Sequence, residues 1–174
     1  MITAPAGPIT VAGPAIQRVI AGVDDSPGGL AALAAATKLA RDHRAELVAV
    51  RAWALGLPRH GGRRMRHLSH PHVVLNFSGI EQSAASSVLV RRAFGAVAGG
   101  MPLDMRISIE TPEGDPAVAL IALANQTGDV IVVGTRSGYP AQRLIHGSVS
   151  RYCSRHANCP VLVVPEGSAA VRSA

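Results

Sequence analysis

Five short apolar runs alternate with longer helical stretches along this chain, and this alternation limits the folds that it can adopt. The runs are RVIAGV (residues 18–23), ELVAVRAW (46–53), MRISIE (105–110), DVIVVG (129–134) and PVLVVP (160–165). Short runs rich in Val and Ile predict strands, and strands that alternate with helices form parallel sheets. We therefore predict an α/β fold in which a five-stranded parallel sheet has helices on both faces.

The apolar pattern of each run predicts its place in the sheet. MRISIE alternates strictly between apolar and polar residues, which is typical of an edge strand with one face in water. RVIAGV and DVIVVG are apolar and fit the centre. We therefore place strands 1 and 4 side by side, in the order 3-2-1-4-5. Ligands of open parallel sheets bind beyond the carboxyl ends of such strands, where the winding direction reverses.

Capping residues and apolar stripes predict four helices. They begin at Pro27, at Ser78, at Asp115-Pro116 and at Ser148, and the third runs to the neighbourhood of Gly128. One stripe of the first helix carries Leu30, Leu33, Ala34 and Thr37. One face of the last helix carries Val149, Tyr152, Cys153 and His156.

Three segments lack a sustained period. Gly and Pro indicate that residues 1–15 form a flexible tail. We also predict a flexible tail at residues 167–174. Residues 16–166 form a single domain, interrupted by a basic loop at residues 56–76 that is rich in Gly, Pro, Arg and His. A loop of this length is either functional, as a lid over a ligand, or disordered and solvated.

Composition narrows the classes of function. The chain of 174 residues is 48% hydrophobic but only 3% aromatic, so bases would find few stacking partners and a nucleic-acid role is not expected. It has two cysteines and no CxxC, which predicts neither a disulfide framework nor a zinc site. The start lacks a secretory pattern, and no apolar run approaches the ~18 residues that span a membrane. We expect a soluble, cytoplasmic protein without a membrane partner.

Histidines and carboxylates offer no reactive constellation. Four histidines of the basic loop offer an alternative metal site: His60, His67, His70 and His72. The arginines beside them would repel a cation, so we predict no metal site. We recognise no Ser/His/Asp set and no paired carboxylates of the kind that catalysis requires. We therefore predict no catalytic residues.

The residues beyond strands 1 and 4 suggest an anion site. Gly134 would let the backbone approach a phosphate and can adopt positive φ. Gly147-Ser148 begins a helix, whose free N–H groups and dipole favour an anion. The alternative is a simple turn at Gly134 and a simple capped helix at Ser148. Asp24 and Asp25 would repel phosphate, so we expect one of them to bond a ribose or a base and one to cap the first helix.

Four segments resemble the universal stress protein family, in order along the chain: AGVDDSPGGLAALAAA, EGDPAVALIALA, DVIVVGTRSG and HGSVSRYCSRHANCPVLVVP. The nucleotide-binding branch of that family has a glycine, two residues, a second glycine, nine residues and then Gly-Ser or Gly-Thr. Gly134 and Gly147-Ser148 match this spacing, whereas Ser137 replaces the second glycine and Gly138 follows one place late. The resemblance implies a Rossmann-like fold of the adenine nucleotide α-hydrolase type.

By position, the resemblance also implies a ligand and a set of residues that bind it. The ligand is ATP or a related adenine nucleotide, with Mg²⁺ as a companion ion. The implied binding residues are Val23, Asp24, Ala52, Val133, Gly134, Arg136, Ser137, Gly147, Ser148, Val149 and Ser150.

The resemblance further implies a homodimer through the strand at residues 160–165 and a stress-response role as a regulatory binding protein. At most, slow ATP hydrolysis would accompany binding. The other family branch supplies the alternative, a dimeric interaction module of the same fold that binds no nucleotide.

Overall fold

A computed structural model of the protein describes residues 15–53, 78–135 and 148–167. Within these ranges, strands and helices alternate as the sequence predicts. The elements are β1 (Arg18–Gly22), α1 (Pro27–His43), β2 (Glu46–Val50), α2 (Gly79–Ala98), β3 (Ile107–Glu110), α3 (Pro116–Leu123), β4 (Asp129–Gly134), α4 (Ser148–His156) and β5 (Val161–Val164).

The five strands form one parallel sheet in the order β3-β2-β1-β4-β5. This confirms the predicted fold class and strand order. β3 pairs with β2 alone and is half-buried to exposed, as the alternation in MRISIE predicts for an edge. β1 lies between β2 and β4 and is buried along its middle, so the winding direction reverses between β1 and β4.

Two apolar layers fix the helices to the sheet. On one face, Leu33 of α1 and Phe94 of α2 pack with Leu47 of β2 in a cluster without solvent exposure. On the other face, Leu120 of α3 packs with Ile131 of β4. Aliphatic residues supply most of both layers, in keeping with the low aromatic content. The helices therefore cover both faces and leave the carboxyl ends of the central strands uncovered by either layer.

An ion pair closes the amino end of the sheet. The Arg18 guanidinium donates to both carboxylate oxygens of Asp129, at 2.9 and 2.7 Å, and also to the carbonyl of Leu123 at 2.9 Å. The backbone N–H of Gln126 donates to the same carboxylate at 2.8 Å. Burial alone would raise the pKa of Asp129, but the bonds from Arg18 and Gln126 prevail and lower it. β1 and β4 are thus joined through their first residues.

Four predicted strands are longer than the structure shows, and the run at residues 160–165 corresponds to β5 at Val161–Val164. β1 ends at Gly22 rather than Val23, and β3 begins at Ile107 rather than Met105. β2 ends at Val50, because its partner β3 ends at Glu110; beyond that point Trp53 forms only an isolated bridge.

One helix prediction is also corrected. α3 ends at Leu123, well before Gly128, because the next residue leaves the helical region and Gly128 takes a positive φ of 86° in the turn to β4. The stripes of α1 and α4 are only partly buried. In α4 it is Ser150 and Cys153 that are buried, whereas Tyr152 and His156 are exposed. In α1, Leu33 and Thr37 are buried, but Leu30 and Ala34 lie beside the buried face that Ala32, Ala36 and Ala40 complete.

The predictions for the basic loop at residues 56–76, including its histidines, lie outside the described residues, as do nearly all residues of the two tails. Of the helices that the structure does describe, none has the length and apolar character that crossing a membrane requires.

Candidate functional site

A cleft of about 690 Å³ opens at the carboxyl ends of β1, β2 and β4. It lies at the reversal of the winding direction, where open parallel sheets bind ligands. Its volume is in the range of small-molecule sites. The described residues that line it are Gly22, Val23, Asp24, Ser26, Gly29, Val50, Arg51, Ala52, Asp115, Pro116, Ala117, Val118, Leu120, Val133, Gly134, Ser148, Val149 and Tyr152.

The lining of the cleft combines a buried apolar floor with an exposed apolar rim. Val23, Val50 and Leu120 belong to the core and present their remaining surface to the cleft. Val118 on α3 is 54% exposed, and Tyr152 on α4 is 41% exposed. Large apolar side chains that stay exposed in a concave surface are typical of a binding site.

The loop after β1 is held together by Ser26. This residue caps α1, and its hydroxyl accepts from the backbone N–H of Gly29 at 3.0 Å. Asp24 in turn accepts from the backbone N–H of Ser26 at 3.0 Å and from its hydroxyl. The prediction that an aspartate caps α1 is therefore wrong, because Ser26 occupies the cap. Asp24 instead binds the capping residue Ser26 and orients its hydroxyl.

Gly134 is required by packing between β4 and α1. A Cβ at this position would overlap the carbonyl oxygen of Gly28, and a Cβ at Gly28 would overlap the carbonyl oxygen of Thr135. Gly134 also lies within β4, paired with Val164, and is not among the described glycines with positive φ. The expected positive φ is therefore not found, and the close approach that Gly134 permits in this structure is to α1.

Three helices begin at the cleft. The cleft is lined by Ser26 and Gly29 at the start of α1, by Asp115 at the start of α3 and by Ser148 at the start of α4. The Asp115 carboxylate caps α3 by accepting from the N–H groups of Ala117 and Val118, at 2.8 and 3.2 Å. Helix starts carry partial positive charge. The cleft can therefore favour an anionic group near α4, while Asp24 and Asp115 supply negative charge elsewhere in it.

Arg51 is a residue of the cleft that the sequence predictions missed. Its Nη2 donates to Asp25 at 3.0 Å, while its Nη1 is buried without a hydrogen-bond partner among the described residues. Arg51 is the only charged residue after Glu46 in the run ELVAVRAW, which is otherwise apolar. That isolated charge at the end of a central strand was the signal that could have identified it.

The cleft brings together most of the residues implied by the family resemblance. Ser150 lies on the buried face of α4 and is not part of the cleft lining. Arg136, Ser137 and Gly147 lie outside the described residues. The implied residues that do line the cleft are Val23, Asp24, Ala52, Val133, Gly134, Ser148 and Val149.

Cys153 lies in the buried apolar layer beside the cleft and is not part of the cleft lining. Burial raises the pKa of Cys153 to about 11, so this residue stays a thiol at neutral pH. No group of three or more His, Cys, Asp or Glu side chains is placed to hold a metal ion within residues 15–53, 78–135 and 148–167. The described geometry suits binding through hydrogen bonds and apolar contact.

Comparisons with known proteins give a consistent family. The model of the universal stress protein family matches residues 79–165. The chain is 44% identical over 57 residues to the stress response protein NhaX of Bacillus subtilis, which is 32% of this chain and 34% of that protein. It is 36% identical over 66 residues to a universal stress protein of Synechocystis, covering 37% of this chain and 61% of the relative. The matches thus span less than two thirds of either relative.

Solved structures extend the likeness to nearly the whole chain. A universal stress protein in complex with cAMP is 25% identical, with a TM-score of 0.59, over 87% of this chain and 98% of its own. A universal stress protein from Lactobacillus plantarum is 22% identical, with a TM-score of 0.53, over 85% of this chain and 97% of its own. The second likeness shows the fold alone.

Proposed function

Because the chain belongs to the universal stress protein family, we propose that it binds an adenine nucleotide in the cleft at the carboxyl ends of β1, β2 and β4. The observation that carries this proposal is the composition of the cleft. An apolar floor and three helix starts meet in one cavity of about 690 Å³. A nucleotide needs both kinds of surface, because its base is planar and largely apolar on its faces while its phosphates are anionic.

The parts of a nucleotide have matching parts of the cleft. Val23 and Ala52 would contact the base, beside the buried floor of Val50. Asp24 would accept from ribose hydroxyls, and the start of α4 at Ser148 would donate to phosphate. Asp24 follows β1 and Asp115 caps α3, and both carboxylates would repel phosphate. The phosphates would therefore lie near α4, away from these two residues. The residues present therefore fit an adenine nucleotide.

The relative in complex with cAMP supports the choice of an adenine nucleotide. Its identity of 25% extends over 87% of this chain. We propose ATP or a related nucleotide as the ligand, with Mg²⁺ bound through the phosphates. The function would be that of a regulatory, stress-response binding protein in the cytoplasm, with slow hydrolysis at most.

One observation favours a second function, a dimeric interaction module that binds no nucleotide. The requirement for glycine at Gly134 is explained by its contact with Gly28, so this glycine alone is no sign of a phosphate site. If the segment around Ser137 does not bind phosphate, the fold could still serve as a docking unit.

Both candidate functions include a homodimer through β5. Within the described part of the chain this edge strand pairs with β4 alone, and Leu162 is 42% exposed. An unpaired apolar edge strand can form hydrogen bonds with a strand of another chain unless it is covered. Light scattering should show a dimer at tens of micromolar, and Leu162→Lys should weaken it. A wild-type monomer at that concentration would contradict the dimer.

A titration separates the two functions. The thermal unfolding midpoint should rise with added AMP, ADP, ATP or cAMP, since a ligand that binds only the folded state stabilises it. Mass spectrometry of the purified protein should also identify a bound adenine nucleotide. If no adenine nucleotide raises the midpoint at millimolar concentration, the interaction module is the better account.

A further inference from the structure

The side chain of Arg51 is bound on one edge only. β2 ends at Val50, and the backbone N–H of Arg51 still donates to the carbonyl of Glu110 at 3.0 Å. The side chain is 19% exposed, and its Nη2 donates to Asp25 at 3.0 Å. The other terminal nitrogen, Nη1, is inaccessible to solvent and has no acceptor within residues 15–53, 78–135 and 148–167. One edge of a permanently charged group is thus unsatisfied.

Such a group is rare in a folded protein. Buried polar atoms nearly always have a hydrogen-bond partner, and a guanidinium has donors on several nitrogens and no way to lose its charge. Arg51 also lines the cleft. An unsatisfied donor on a residue of a binding cleft is explained if the ligand brings the missing acceptor.

We propose that Arg51 is a ligand-binding residue and that its Nη1 donates to an acceptor on the nucleoside part of the nucleotide, a ring nitrogen or a ribose oxygen. This inference rests on the proposed function. It adds a residue outside the set implied by the family resemblance, and it assigns that residue to one end of the ligand. Nη1 is inaccessible to solvent in this structure, so the contact requires the guanidinium to turn when the ligand binds.

The strand order places this donor away from the phosphates. The α4 start at Ser148 lies beyond β4, whereas Arg51 follows β2, and β1 lies between those two strands. Neighbouring strands are about 4.8 Å apart, so the ends of β2 and β4 are separated by roughly 10 Å. A nucleotide with its phosphates at α4 therefore has its base or ribose near Arg51.

If Arg51 had only a structural role, its removal would have a different effect on the stability of the unliganded protein. Its partner Asp25 is 61% exposed and accepts a single hydrogen bond from it. A pair whose carboxylate is largely exposed is screened by solvent and contributes little to stability. Removal of the guanidinium should therefore leave the unliganded protein almost as stable as before, whereas a structural residue would lower the unfolding midpoint with or without nucleotide.

Calorimetric titration of full-length variants with AMP and adenosine tests the proposal. Arg51→Gln should weaken both ligands by about tenfold or more, the loss expected for one hydrogen bond to a charged donor. Arg51→Lys should recover part of the affinity, because it keeps the charge without the forked geometry. The matched control is Arg41→Gln. Arg41 is also paired with an aspartate, at 2.7 Å, but outside the cleft, and its removal should leave both affinities unchanged.

Two results would overturn the assignment of Arg51. One is an unchanged AMP affinity in Arg51→Gln; the other is a loss for AMP without a loss for adenosine, which would put the contact on the phosphate. In both cases wild-type protein still binds AMP, so the proposed function survives. A wild-type protein that binds neither AMP nor any other adenine nucleotide overturns both proposals together.

Discussion

Two arginine–aspartate pairs lie at opposite ends of the sheet, and they differ in how completely they are satisfied. Arg18 and Arg51 are about equally buried, with 20% and 19% of their side chains exposed. Arg18 donates three hydrogen bonds, two of them to Asp129, whose carboxylate has no exposure. Among the described residues, Arg51 donates one side-chain bond, to the exposed Asp25. The Arg18–Asp129 pair thus stabilises the amino end of the sheet, whereas the Arg51–Asp25 pair leaves a guanidinium donor available at the carboxyl end.

The contrast extends beyond the arginines. The amino end of the sheet joins β1 to β4 through Asp129 and the turn before it. The carboxyl end keeps exposed apolar side chains, Val118 and Tyr152, around a cleft. A fully buried carboxylate with several hydrogen bonds thus marks the amino end, and exposed apolar surface marks the carboxyl end. The expected effects of mutation should follow that division.

The largest effect on stability is expected at the amino end. Asp129→Ala removes both carboxylate oxygens from a partly buried guanidinium, and breaking a buried pair in this way costs about 3 kcal/mol or more. Urea unfolding measures the loss. The matched control, Asp104→Ala, breaks an exposed pair with Arg41 and should have a clearly smaller effect. Equal losses in the two variants would remove the contrast.

A second large effect is expected where β4 contacts α1. Gly134→Ala puts a Cβ against the backbone carbonyl of Gly28, and overpacking of this kind costs about 1–3 kcal/mol. The control is Gly95→Ala in α2, where a Cβ meets no atom within 4 Å. There the helix should gain roughly 0.5–1 kcal/mol. If Gly134→Ala unfolds at the wild-type urea concentration, Gly134 is not needed for packing.

Acid should weaken the amino end selectively. The pKa of Asp129 is lower in the folded protein than its ordinary value, since the bonds from Arg18 and Gln126 outweigh burial. Its stabilising contribution is therefore present above about pH 4, the unfolded value, and is lost as the pH falls from there through the folded pKa. Urea unfolding at pH 5 and pH 3 should show a smaller decrease for Asp129→Asn than for wild type. Parallel decreases would count against the assignment.

The smallest effect on stability is expected at the pair beside the cleft. Asp25→Ala removes one hydrogen bond between Arg51 and an exposed carboxylate, so the free energy of unfolding should change by no more than about 0.5–1 kcal/mol. Thermal unfolding without nucleotide measures it. A loss as large as that of Asp129→Ala would mean that both ends of the sheet are built for stability.

Much of the fold could be predicted because local patterns and tertiary packing agree. The apolar run of β4 and the alternation in β3 specify a buried and an edge strand, and the structure places them so. The end of α3 was missed because it depends on a tertiary contact. Arg18 of β1 donates to the carbonyl of Leu123, the last residue of α3, and this contact cannot be seen in a helical pattern. Burial along α4 could not be predicted from its pattern, because Cys153 lies in the core whereas Tyr152 borders the cleft.

The candidate site was predictable in location but not in detail. Strand order and the loops after β1 and β4 located the cleft, and the family resemblance supplied Val23 and Ala52. The packing role of Gly134 could not be predicted, because it needs the position of Gly28 on a different element. The same holds for Arg51, whose orphan Nη1 becomes visible only when its surroundings are known.

Calorimetric titration of AMP into two matched variants tests the central claim most directly. Val118→Trp fills the rim of the cleft from α3, whereas Val88→Trp adds the same ring to an exposed valine of α2 that does not line the cleft; the native valines are 54% and 64% exposed. Both should fold, since neither valine is in the core. We predict that Val118→Trp weakens AMP by at least about tenfold and that Val88→Trp binds it like wild type. Equal AMP affinity in the two variants would contradict binding in this cleft.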